Sequence, residues 1–240
     1  MAEKWRTALI VAHGQPSDPH PAEAEIAALA HQVSRNLPDW HVMSATLACP
    51  GALAAALAAA KGAGGLVYPM FMTDGWFTRD HLPGRLRAAG AGDMQMLPPF
   101  GLDPAVQALT VSLARQALAG TAPDDAELLL AAHGSSRSPA PAAVAQAMAE
   151  RIARQLGLAR VVPGFIDQQP RIADVARSLG PRAVCLPFFA ARGGHVTDDV
   201  PRALAEAGFA GRLLDPVGSD PSVPGLIAAR LRAVEGESGG

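Results

Sequence analysis

The chain has 240 residues, 49% of them hydrophobic, 5% aromatic, and a formal net charge of -2. The apolar share excludes a disordered chain. The near-neutral charge leaves no basic footprint for nucleic acid and no polybasic patch for a membrane surface. No stretch approaches the roughly 18 unbroken apolar residues of a membrane span. The opening MAEKWRTALIVAHG carries an apolar run too short for a signal peptide and reads as a first strand, so a cytoplasmic protein is expected. Cys49 and Cys185 belong to no CxxC pair, which argues against a disulfide framework or a zinc ribbon. A chain of this length can form one large domain or two small ones.

The sequence repeats itself. ALIVAHGQPSDP, starting at Ala8, lines up with LLLAAHGSSRSP, starting at Leu128, and sets His13 against His133. ATLACP from Ala45 matches FIDQQP from Phe165. VYPMFMTDGWFTRDHLP from Val67 matches CLPFFAARGGHVTDDVP from Cys185, and PFGLDPAV from Pro99 matches PVGSDPSV from Pro216. Four matches in the same order, at nearly constant offset, indicate a tandem duplication. The halves are read as domains spanning residues 1–122 and 123–240, joined near Gly120 to Asp125.

The elements of the second half follow in chain order. Residues 127–132 form a compact apolar run, too short for a helix and ending at Gly134. Residues 140–156 are amphipathic, open after Ser138 and two prolines, and stop at Gly157. A strand is expected at 161–166. A helix should begin near Pro170 and end at Gly180, followed by an apolar strand at 183–189. A helix from about 196 to 207, a short strand at 212–215 and a last helix from Pro221 complete the unit. The first half gives the same order. Alternation of this kind with apolar strands predicts an α/β fold, two tandem domains, each a four-stranded parallel sheet with helices on both faces.

The unusual residues of the second half fall where parallel strands end. His133 follows the first strand, Asp167 closes the second, and His195 lies in the loop after the third. Ligands of open parallel sheets bind at these carboxyl ends. Two imidazoles and a carboxylate suit a divalent first-row metal, and three protein ligands would leave coordination open for substrate or water. Gly193 and Gly194 let the chain turn sharply and let a bulky ligand approach the backbone, and they leave amide N–H groups near a helix start. Structural roles compete with these readings. A histidine at a strand end can be a hydrogen-bonded structural residue, Asp167 can cap the helix near Pro170, and Asp198 and Asp199 can serve a helix's first turn. The first half weighs on this choice: Phe77 stands against His195 and Leu47 against Asp167, so only His13 keeps its counterpart's identity. Residues needed for the fold would be kept in both copies; chemistry confined to the second half accounts for their loss in the first.

LLLAAHGSSRSP, GFIDQQP and LPFFAARGGHVTDDVP together resemble the signature regions of the CbiX/SirB-type sirohydrochlorin chelatases, the class II chelatases, whose longer members are tandem fusions. The run from Gly193 to Pro201 is the most specific part. The resemblance implies ATP-independent insertion of Co2+ or Fe2+ into a tetrapyrrole, sirohydrochlorin, for cobalamin or sirohaem. The metal is then a substrate, and no fixed cofactor is implied. His133 and His195 become the catalytic metal-binding histidines. Asp167 falls where the family has a glutamate, a methylene shorter. Gly193, Gly194, Ser135 and Arg137 become substrate-binding, with Arg171 and Arg192 as further cations for the tetrapyrrole's carboxylates. The first half becomes a degenerate copy. From another class, the alternative is a metal- or tetrapyrrole-binding carrier without turnover. A nucleotide-binding domain is disfavoured, since no GxGxxG or P-loop follows any strand.

Overall fold

A computed structural model describes residues 6–60 and 64–238. The first half runs β1 (Arg6–Ala12), α1 (Pro19–Arg35), β2 (Trp40–Thr46), α2 (Ala52–Ala58), β3 (Leu66–Pro69), α3 (Leu82–Ala88), β4 (Gln95–Met96) and α4 (Pro104–Ala117). The second half repeats the order as β5 (Glu127–Ala132), α5 (Ala140–Leu156), β6 (Arg160–Phe165), α6 (Ile172–Ala176), β7 (Val184–Pro187), α7 (Val200–Glu206), β8 (Arg212–Leu213) and α8 (Val223–Ser238). The strands make two separate four-stranded sheets, β2-β1-β3-β4 and β6-β5-β7-β8. Among the described residues every strand pairing is parallel.

Each sheet is buried on both faces, as all-parallel sheets require. In the second sheet Leu129, Ala131 and Cys185 pack against Ile172, Val175 and Ala176 of α6 and Val200 and Leu204 of α7. The strand period of two turns Leu128 and Leu130, also fully buried, to the opposite face. In the first sheet Leu9, Val11 and Val67 pack against Leu53 of α2 and Leu82 and Leu86 of α3.

The helix expected from Pro170 is shorter than the sequence implies. The Phe165 N–H donates to the Pro170 carbonyl at 2.9 Å, and Phe165 bridges Arg171 as a strand would. Pro170 and Arg171 are thus held beside β6, and the helix starts at Ile172. The helix expected from 196 opens instead as a wide π-helical turn over His195–Asp199, with the Val200 N–H reaching back to the His195 carbonyl. Pro201 accounts for this: it has no N–H to donate, and its ring crowds the carbonyl four residues back. Pro83 does the same in the first half, where the turn Phe77–His81 is also π-helical.

The compact units do not coincide with the repeats. One unit runs to Phe100 and resumes at Pro221, and the other is Gly101–Asp220. The boundary read between residues 122 and 123 divides the repeats, whereas packing divides the chain at 100/101 and 220/221, because the last helix of each repeat is exchanged. Helix α4 packs against α5, with Arg151 Nη1 donating to Gln107 Oε1 and Arg212 donating to the Ala117 carbonyl. Helix α8 packs against α1, with Arg232 donating to the Asn36 carbonyl and Arg6 paired with Glu235. Among the described residues no helix is long and apolar enough to cross a membrane.

Candidate metal centre

In the unit Gly101–Asp220, β5 lies between β6 and β7, so strand order reverses between β5 and β7. That reversal is where open α/β sheets bind ligands. His133 directly follows β5, and His195 follows the loop after β7. Their Nε2 atoms stand 3.2 Å apart, and the rings meet edge to face at 4.5 Å between centroids.

Each ring is anchored through its other nitrogen. His133 Nδ1 lies 2.9 Å from the Gly134 carbonyl oxygen, and His195 Nδ1 lies 2.7 Å from Asp199 Oδ2. Both partners can only accept, so Nδ1 is the donor in each neutral ring and Nε2 keeps its lone pair, an assignment made from the hydrogen bonds. Two lone pairs therefore converge on one point. With imidazole–metal bonds of about 2.1 Å, a 3.2 Å separation corresponds to an N–metal–N angle of about 100°, normal for neighbouring ligands of one ion.

Gly134 is what lets His133 hold this position. Its φ is +70°, and a Cβ there would stand 2.7 Å from Gln168 Cγ and 3.0 Å from Phe165 Cβ. Only glycine fits such a turn. Gly193 is different: its φ is ordinary and a Cβ would meet nothing within 4 Å, so its backbone borders open space and no fold constraint demands a glycine. Gly194 has helical angles, φ -53° and ψ -31°.

Asp167 is close to the pair without joining it. Its N–H donates to the His133 carbonyl at 2.9 Å, while Oδ2 accepts from the Ser136 N–H and hydroxyl, both at 3.2 Å. The Ser136 backbone N–H, then its hydroxyl, holds the Asp167 carboxyl below the usual carboxylate range. The capping reading of Asp167 is corrected: α6 starts at Ile172, and the N–H before it, from Arg171, is taken by Gln169 Oε1. Among the described residues no group of three His, Cys, Asp or Glu side chains gathers as a metal cluster. Burial pushes the Cys185 thiol up, which leaves it inert in the core.

The remaining sequence candidates line the same loops. Ser135 donates its N–H to Gln168 Oε1 at 2.8 Å, and its hydroxyl accepts from the Arg137 N–H. Arg137 is exposed. Arg171 donates to the Ile166 carbonyl and Arg192 to Asp215, so both are engaged within the protein. Sequence reasoning missed Asp199 as a partner of His195. The signal was the spacing of four residues at a helix start, which puts two side chains on one face.

The other unit holds the same geometry with different chemistry. His13 Nδ1 lies 2.8 Å from the Gly14 carbonyl oxygen, as in His133. Phe77 takes the place of His195, with its ring at 4.6 Å and 90° to that of His13. Leu47 is buried in the apolar core.

A duplicated parallel α/β fold with paired imidazoles at one sheet's switch point defines a chelatase-like class of protein. The CbiX family model matches residues 127–234, the half that carries the pair. CbiX from denitrifying bacteria, described as the terminal enzyme of sirohaem biosynthesis, is 48% identical over 95% of this chain and 99% of its own, with a TM-score of 0.86. The chain belongs to the CbiX family. Two Bacillus subtilis SirB structures share the fold. One, with Fe3+, has 18% identity over 95% of this chain and 94% of its own and a TM-score of 0.77. The other, the sirohydrochlorin chelatase in complex with cobalt, has 16% identity, the same coverage and a TM-score of 0.67. No curated protein matches the chain.

Proposed function

We propose that the protein is an ATP-independent metal chelatase that inserts Co2+ or Fe2+ into sirohydrochlorin, serving sirohaem or cobalamin synthesis in the cytoplasm. The observation that carries this is the convergence of His133 Nε2 and His195 Nε2 at 3.2 Å. The similarity to CbiX of denitrifying bacteria supports the tetrapyrrole, and the iron and cobalt seen with SirB support the metals.

Metal insertion requires stripping water from the ion, removing two pyrrole protons and distorting the macrocycle. His133 and His195 hold the incoming ion through neutral nitrogens, which exchange ligands readily and can receive the pyrrole protons. Asp167 compensates charge beside His133 and binds the ion through water, its Oδ2 being held by Ser136. Arg137, with Ser135, Gly194 and the open backbone at Gly193, receives the macrocycle and its carboxylates. The metal is substrate throughout.

The test incubates sirohydrochlorin with Co2+, Fe2+ or Ni2+ and follows the absorption change with and without protein. Many metallations per chain are expected with Co2+ or Fe2+; at most one per chain would make the protein a carrier, and no acceleration would reject the chelatase reading.

A further inference from the structure

Resting on the chelatase reading, we infer that Asp199 and Arg202 are positioning residues that lock His195 in the one tautomer able to take the metal. Asp199 presents two oxygens to two different groups. Oδ2 lies 2.7 Å from His195 Nδ1, and Oδ1 accepts from Arg202 Nη2. A carboxylate only accepts hydrogen bonds and a guanidinium only donates them. Arg202 thereby fixes which oxygen faces the ring, and that oxygen obliges Nδ1 to carry the proton, leaving Nε2 bare. His133 reaches the same state through a backbone carbonyl; His195, in a turn after a loop, needs a side chain.

The first half carries an independent observation. At the offset that sets His195 against Phe77, Asp199 meets His81 and Arg202 meets Gly84. Asp198 and Pro201 meet Asp80 and Pro83, so the turn is preserved. All three members of the chain His195–Asp199–Arg202 are replaced together in the copy where a phenyl ring stands in the place of His195. A group kept only to stabilise the turn would have stayed with the turn.

The test is a set of variants at exposed or half-buried positions, with Co2+ titrated calorimetrically and His195 tautomer read by 15N NMR at mildly alkaline pH. In Asp199→Asn, Arg202 claims the single amide oxygen and the NH2 faces Nδ1, which must then accept, moving the ring proton to Nε2. Co2+ affinity should fall about 10- to 100-fold, the range for partners that orient metal-binding histidines. Asp199→Ala should lose less, because the freed ring samples both tautomers. Asp199→Asn with Arg202→Ala should regain affinity over Asp199→Asn alone, because the amide can rotate. The NMR should show His195 protonated at Nδ1 in the parent and at Nε2 in Asp199→Asn. An Asn variant that binds Co2+ like the parent, or a double variant no better than it, would overturn the inference. A merely structural role predicts the opposite order, with alanine worst. If the variants order as expected but the parent inserts no metal into sirohydrochlorin, the chelatase reading alone fails. Should Co2+ binding be absent from the parent, the tautomer measurement still decides the inference.

Discussion

His133 and His195 arrive at one point by different means, a left-handed glycine after β5 and a carboxylate in a π-helical turn. His13 repeats the first means and faces a phenyl ring, which has no lone pair to share. His195→Ala should therefore cut steady-state metal insertion at least about 100-fold, whereas His13→Ala should leave most of it; equal losses would show that the first half shares the chemistry. Asp167→Ala should cost less than His195→Ala in the same assay, since its Oδ2 is already engaged by Ser136. At this scale internal comparison of the repeats picked out His133, His195 and Asp167; the structure brings the two histidines together and leaves Asp167 beside them, held by Ser136. The sequence did not show what Asp199 touches. Its neighbour Asp198 is equally acidic and stands three residues from His195, a spacing that also shares a helix face, so spacing alone does not choose between them.

Secondary structure was legible where one local signal dominated. Helix α5 ends where Gly157 takes φ +66°, and β5 ends just before His133. It was less legible where two signals competed, as at Pro170, where strand-like pairing with β6 prevailed over a helix start. The Gly134 turn belongs to this scale too. Gly134→Ala combines positive φ with a clash against Gln168 and Phe165, and should destabilise the protein by about 1–3 kcal/mol in urea unfolding. The turn before α3 carries an acid-sensitive contact. The Thr78 hydroxyl donates to Asp74 Oδ1 at 2.6 Å, and this bond first, then Arg79, holds the Asp74 carboxyl below its usual value. A carboxyl depressed in the folded state stabilises above its unfolded value, and that contribution disappears as pH falls through the folded one. The urea midpoint of the parent should thus drop more steeply below about pH 5 than that of Asp74→Asn; parallel curves would remove this contact from the acid response.

At the scale of the whole chain, duplication was written plainly in the sequence, and the exchange of its terminal helices was not. Periodicity records that α4 has an apolar face, with Val106, Val111 and Ala114 buried, but not which sheet's helices that face meets. A fragment of residues 101–220 keeps α4 with α5, while one of residues 123–240 follows the repeat and leaves α4 out. The first should melt at higher temperature and retain Co2+ binding; a more stable 123–240 fragment would show that α4 contributes little to the unit it joins.

The exchange also bears on a copy that keeps only one of the three candidate residues, His13. Phe77 and Leu47 stand where the second repeat has an imidazole and an acid, yet deleting the first repeat would strip from its sibling the helix that covers α5. Deleting the second would take α8 from α1 in turn. The two copies are thereby tied together, each covering an element of the other with its own last helix.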